Sequence, residues 1–277
     1  MSENDQRTAD AFATSWNNLP PGSVYTPEQV ADWFAPLRPE DIRGARVLEM
    51  GCGNGSLMVH VVRWSPAQLD GIDLGGSVES ARANLAASGA RDWSVRQADL
   101  VAFTSEGYDV VYSIGVLHHL KEPKAGFDAV VRNTRRGGRF HCWVYAREGN
   151  AVVIWLVDPL RRVASRLPWW LTKYGLATPL VFPYFLYAKA LNALPRWGWL
   201  RALPLYEYSL WIARREFAFF RHVAFDQLVT PQTAYLDRKT LEGWLAEQPN
   251  IAPGSTYVTM RNGNSWKFGA TLAGGAP

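Results

Sequence analysis

A chain of 277 residues that is 48% hydrophobic and 19% charged has apolar mass for one large domain, or for one domain with a sizeable insertion. Two cysteines cannot build a disulfide framework, so Cys52 and Cys142 are expected as reduced thiols; the polar first ten residues, lacking an apolar run, point to a cytoplasmic protein. The net charge of +4 is unevenly spread: residues 161–221 hold ten of the 29 lysines and arginines but only two of the 25 acids, Glu207 and Glu216.

Residues 1–10 read as disordered, followed by an aromatic segment with Phe12 and Trp16 and a turn over residues 17–22. Thr26-Pro27-Glu28 has the form of a helix start, a capping hydroxyl before a first-turn proline and an acid. Val30, Trp33, Phe34 and Leu37 then make an apolar stripe that Pro36 and Pro39 are expected to end.

Val47 to Met50 is a short apolar run with one acid, Glu49, the pattern of a buried strand ending at a crevice. Gly51, Gly53 and Gly55 follow at alternate positions, so the backbone can approach a ligand with no Cβ in the way. Residues 56–64 read as a buried helix whose first N–H groups point back into that turn. A dinucleotide fingerprint would need glycine at position 56, where this chain has Ser56.

The turn, Glu-x-Gly-x-Gly-x-Gly from Glu49 to Gly55, resembles motif I of the class I S-adenosylmethionine-dependent methyltransferases. The resemblance implies S-adenosylmethionine as cofactor, S-adenosylhomocysteine as product, and Glu49, Gly51, Cys52, Gly53 and Gly55 around the cofactor. Leu69 to Leu74 reads as a second strand, and its terminal acid, Asp73, is placed to accept the two ribose hydroxyls; Leu74 lies beside it. An amphipathic helix over 77–88 ends at Gly89.

A third strand over 93–100 has a polar end, where the resemblance assigns Asp99 to the adenine amino group and the Leu100 N–H to a ring nitrogen. Residues 108–113 form a fourth strand, followed by Leu117-His118-His119-Leu120, a segment similar to one in small-molecule methyltransferases of the quinone-biosynthesis type. Ser113, Ile114 and His118 complete the expected cofactor set. Pro123 opens a helix, Arg135-Arg136-Gly137-Gly138 is read as a turn, and 139–145 as a fifth strand. Asp237 caps a late helix, and 256–261 with 265–272 form a hairpin about Asn262-Gly263-Asn264.

The expected fold is therefore α/β: a doubly wound, Rossmann-like sheet of seven mostly parallel strands, the last antiparallel, with a large helical insertion after the fifth. Residues 1–41 would form an N-terminal lid segment, 42–147 with 226–277 the cofactor-binding core, and 148–225 the insertion. That insertion interleaves tryptophans, prolines and basic residues, which suits a cap over an apolar substrate, a dimer interface or contact with a membrane surface. Pro179, Pro183 and Lys189 argue against a membrane span over 176–194. No nucleic-acid recognition motif accompanies the basic residues, so nucleic acid is not the expected partner.

The sulfonium methyl is already activated, so the chemistry needs an aligned nucleophile in a dry site and no metal. A general base would help a hydroxyl or acidic-carbon acceptor, and His119 and His222 are the leading candidates, with Tyr145 and Tyr25 behind them. Trp16, Tyr25, His141 and His222 are the expected substrate contacts. The resulting function is methyl transfer to a small or amphiphilic, hydrophobic acceptor bound under residues 148–225. The competing readings are an NAD(P)-dependent oxidoreductase and a non-enzymatic membrane-surface or interaction protein.

Overall fold

The computed structural model describes residues 3–17 and 25–274, with side chains described from 6 to 13 and from 25 onward. It divides into two compact units. The first takes the chain up to Tyr145, Gln232–Thr259 and the residues from Trp266 on; the second takes Ala146–Pro231 and Met260–Ser265.

The first unit is organised by a sheet whose strands are β1 (Arg46–Met50), β2 (Gln68–Asp73), β3 (Trp93–Gln97), β4 (Tyr108–Ile114), β5 (Thr134–Tyr145), β6 (Tyr257–Arg261) and β7 (Ser265–Thr271). Their order is β3-β2-β1-β4-β5-β7-β6. β1 to β5 pair in parallel, and the reversal comes at the final hairpin, whose Asn262 and Gly263 both adopt positive φ as a tight turn demands. β1 is buried from Val47 to Met50 because parallel strands are covered on both faces.

The helices of this unit are α1 (Glu3–Asn17), α2 (Pro27–Phe34), α3 (Pro39–Ile42), α4 (Met58–Val61), α5 (Val78–Ala87), α6 (Pro123–Arg132) and, in chain order after those of the second unit, α11 (Arg238–Ala246). Thr26 caps α2 by accepting from the Gln29 N–H, and Asp237 caps α11 by accepting from the Thr240 N–H. Val30, Trp33 and Phe34 enter the same apolar cluster as Val47, Leu69 and Tyr112, so α2 is part of the core.

Four local expectations are corrected. Residues 3–10 belong to helix α1 and are ordered as part of it. Pro39 begins α3 at its first position, where its missing N–H costs nothing. The helix after the glycine turn starts at Met58 and tightens to a 3₁₀ turn over Val62–Trp64. Arg135 to Gly138 lies inside β5 as an irregularity in its pairing with β4, not as a turn before it; Gly137 takes φ +72°, and a Cβ on Gly138 would come 2.9 Å from three backbone carbonyls.

The second unit is helical, with α7 (Asp158–Ala164), α8 (Thr178–Ala193), α9 (Tyr206–Ile212) and α10 (Phe217–Val229), and π-helical turns over Val153–Val157 and Leu171–Ala177. Val181, Ala188, Ile212, Ala213 and Phe220 form its core. Among the described residues no helix is long and apolar enough to cross a membrane.

Candidate functional site

The loop after β1 is fastened to the end of β2: Ile72 accepts from the Gly51 and Cys52 N–H groups at 2.8 and 3.0 Å. The three glycines answer to different demands. Gly51 takes φ +88°, and a Cβ there would lie 2.4 Å from the Val116 side chain. Gly53 takes φ +52° with open space where a Cβ would be, so it is the position that leaves room for a guest. At Gly55, φ +74°, a Cβ would lie 3.1 Å from Ala81 on α5, so this glycine serves helix packing.

Ser56 has its own task. Its N–H and hydroxyl both donate to Asn54 Oδ1, at 3.2 and 2.7 Å, closing the turn from within as side-chain amides do in such loops. Asn84 of α5 donates to the Asn54 carbonyl at 3.0 Å.

Asp73 stands opposite this turn. Its Oδ2 accepts from the Gly53 N–H and its Oδ1 from the Gly75 N–H, each at 2.8 Å. A carboxylate oxygen has two lone pairs, so each can accept once more, which suits a pair of neighbouring hydroxyls. Burial pushes the Asp73 pKa up, and the backbone donors from Gly75 and Gly53 oppose that rise.

Below it, Glu49 is buried, and Tyr112 donates to its Oε2 at 2.8 Å. Burial pushes its carboxyl up to about 8, with the Asp73 charge adding to the rise and the Tyr112 bond opposing it. The Cys52 thiol is held well above its ordinary value by burial and then by Asp73 and Glu49, so it stays protonated and is no nucleophile.

These groups line one cavity with Leu74, Leu100, Ile114 and, from α1, Thr8, Ala9 and Phe12. Tyr25 and His119 close further sides. His119 packs edge-on against Phe12, ring centroids 4.8 Å apart, and its Nδ1 lies 3.1 Å from the Gln232 carbonyl. A carbonyl only accepts, so Nδ1 carries the proton and Nε2 is the basic nitrogen. Two acids and no lysine or arginine are present among the described lining residues. Such a wall attracts a cation and repels a phosphate.

A family profile described as a methyltransferase domain matches residues 47–138, the span from β1 to the irregularity in β5. Residues 47–138 thus carry the pattern of a methyltransferase domain. The domain is similar to an uncharacterized protein of Synechococcus sp., 31% identical over 125 residues, covering 43% of this chain and 30% of that protein. It is also similar to a ubiquinone biosynthesis O-methyltransferase of Neisseria meningitidis, 35% identical over 89 residues, covering 31% of this chain and 37% of the relative. The match thus spans less than half the length of these relatives. The fold is shared with the solved structure of PKMT2 from Rickettsia typhi in complex with AdoHcy, with 12% identity, a TM-score of 0.54, and coverage of 94% of this chain and 55% of that one.

The methyltransferase domain brings together eight of the expected cofactor residues: Glu49, Gly51, Cys52, Gly53, Asp73, Leu74, Leu100 and Ile114 all line the cavity. Gly55, Asp99, Ser113 and His118 do not. Ser113 is buried and donates to the Met50 carbonyl, joining β4 to β1. Asp99 Oδ1 accepts from the Val101 N–H, a turn-forming contact. His118 is buried with its ring 4.1 Å from those of His119 and Tyr145.

Of the expected catalytic and substrate residues, Tyr25 and His119 reach the cavity. Tyr145 stacks among His118, Trp143 and Tyr235 and does not line it. His141 is fully buried between the Trp33 carbonyl at 2.8 Å and the Tyr257 hydroxyl at 2.7 Å, a core histidine and not a substrate contact; burial holds its pKa down at about 4. His222 belongs to the second unit, on α10, with Nε2 3.2 Å from Asp226 Oδ2 one turn on. The Trp16 side chain lies outside the described residues.

Sequence reasoning missed Asn54, Ser77, Val116 and Thr8 among the lining residues. Asn54 stood inside the glycine turn and could have been read from its affinity for turns, whereas Val116 reaches the cavity only through the path the chain takes after β4.

Proposed function

We propose that this chain transfers a methyl group from S-adenosylmethionine to a small or amphiphilic, hydrophobic organic acceptor. The observation that carries the reading is the cavity wall, with Glu49 and Asp73 as its acids and no lysine or arginine among its described residues. A sulfonium and an α-ammonium are welcome there and draw Glu49 toward its ionised form, while the pyrophosphate of a nicotinamide dinucleotide would meet two acidic side chains and no countercharge. Asp73 would take the ribose, the open side of Gly53 would admit the amino-acid end, and Leu100 and Ile114 would flank the adenine. Glu49 would answer the cationic end from below.

The cofactor brings an activated methyl, so what remains for the chain is to align the acceptor, exclude water and receive any proton released. His119 is the residue we assign to that proton, through Nε2. The apolar wall made by Phe12, Leu120 and Ile114 supports a greasy acceptor, and the similarity to quinone-modifying O-methyltransferases supports the same class. Calorimetry with S-adenosylhomocysteine and with NAD tests the reading directly. Binding of the former alone is expected, and binding of NAD alone would overturn it.

A further inference from the structure

From Val152 to Ala164 the second unit carries a helix that is apolar on its exposed side as well as on its buried one. The π-helical turn Val153–Val157 runs straight into α7; Val153, Ile154 and Val157 are half-buried, and of the two side chains the helix buries, Arg161 and Ala164, one is charged. Arg161 is 3% exposed; it donates through Nε to the Gln227 carbonyl at 2.7 Å and through Nη2 to Gln227 Oε1 at 2.8 Å, both on α10. The opposite side shows Val152, Leu156, Leu160 and Val163 at helical spacing, with Trp155 beside them at 82% exposure. A helix packed on a protein core turns its apolar stripe inward. Here a second apolar stripe faces out.

We propose that this face docks on an anionic lipid bilayer. The only acid between residues 151 and 177, Asp158, is taken up by Arg161 in the same helix. Arg162 and Arg166 flank the stripe and are exposed, and the chain continues into Trp169, Trp170 and Tyr174, also exposed, with Lys173 over the Trp169 and Tyr174 rings. Tryptophan, tyrosine and basic side chains are the residues that settle at the headgroup level, where rings sit among acyl ends and cations among phosphates.

The charge selects the occupant. The unit holds twelve basic residues against five acids, so two copies meeting through it would oppose like charges, whereas an anionic surface neutralises them. No described helix is fit to span, so the contact is peripheral. Lipid docking and methyl transfer are separable properties of the chain.

Flotation of the full chain with phosphatidylcholine vesicles, alone or mixed with phosphatidylglycerol, tests the proposal. Partition is expected to rise by about tenfold or more with the anionic lipid and to fall as salt is added. Trp155→Glu with Val163→Glu is expected to abolish flotation with circular dichroism unchanged, and the milder Trp155→Ser with Val163→Ser to reduce it severalfold should the first pair not fold. Arg162→Glu with Arg166→Glu is expected to remove the preference for anionic lipid. Wild-type chain that does not float with anionic vesicles, or variants that float as well as wild type, would overturn it. So would variants that turn a dimer into a monomer by analytical ultracentrifugation while wild-type flotation is absent.

Discussion

The Gly53 N–H donates to Asp73 Oδ2 at 2.8 Å, joining the loop after β1 to the last residue of β2 across 20 positions of sequence. The bond sets the loop in place before a ligand arrives and orients the carboxylate that we assign to the ribose. Asp73→Ala is expected to weaken S-adenosylhomocysteine binding by at least ~tenfold, because a hydrogen bond to a charged group contributes about 1.5–3 kcal/mol. Calorimetry reads the affinity and circular dichroism the fold. Unchanged affinity would remove Asp73 from the site.

Glu49 makes binding and stability depend on pH in opposite senses. Its carboxyl titrates at about 8 in the folded chain, above its ordinary 4.5, because burial disfavours the charge. The unfolded chain therefore binds fewer protons between those values, and stability from this group is full below about 4.5 and lost as pH rises through about 8. The slope approaches ~1.4 kcal/mol per pH unit at most. A cationic ligand favours the ionised form, so its affinity should instead rise over the same window. Glu49→Gln is expected to flatten both profiles, measured by urea unfolding and by calorimetry.

Gly51 and Gly53 should fail differently when given a methyl group. Gly51→Ala drives Cβ into Val116 and is expected to lower the melting temperature, with partial relief in combination with Val116→Ala. Gly53→Ala meets no neighbour and costs only the left-handed backbone, about 1–2 kcal/mol, yet occupies space meant for the ligand. Its expected phenotype is a folded chain with impaired S-adenosylhomocysteine binding.

His141 is a determinant of acid stability. Held neutral with a pKa near 4 by burial, it leaves the unfolded chain binding more protons between about 4 and 6.5. Its contribution is present above 6.5 and lost as pH falls toward 4. Denaturant midpoints in wild type should climb over that range, and His141→Gln should climb less.

For turnover, the candidate that lines the cavity is His119. His119→Ala is expected to lower the rate by ~10²-fold while leaving S-adenosylhomocysteine affinity within a few-fold. A wild-type rate in this variant would remove His119 from the mechanism.

Two adjacent histidines show where one-dimensional reading stops. Leu117 to His119 form a 3₁₀ turn, in which neighbours project about 120° apart, so His119 meets the cavity while His118 enters the core. The same limit applies to Gly55, whose partner Ala81 is contributed by the next helix, and to Arg135–Gly138, whose irregularity exists only against β4.

What the sequence determined by itself is the part governed by local chemistry. The alternating glycines dictated a loop that few side chains could form, the acid after an apolar run marked Asp73, and the capping residues Thr26 and Asp237 started their helices. The tertiary structure alone decided which side chains share a cavity and which ones the core absorbs. His141, Ser113 and His118 are polar residues that look functional in a string, yet their burial and their neighbours are set by segments far along the chain. Such contacts leave no local pattern, because close packing is a property of the assembled sheet and not of any one strand.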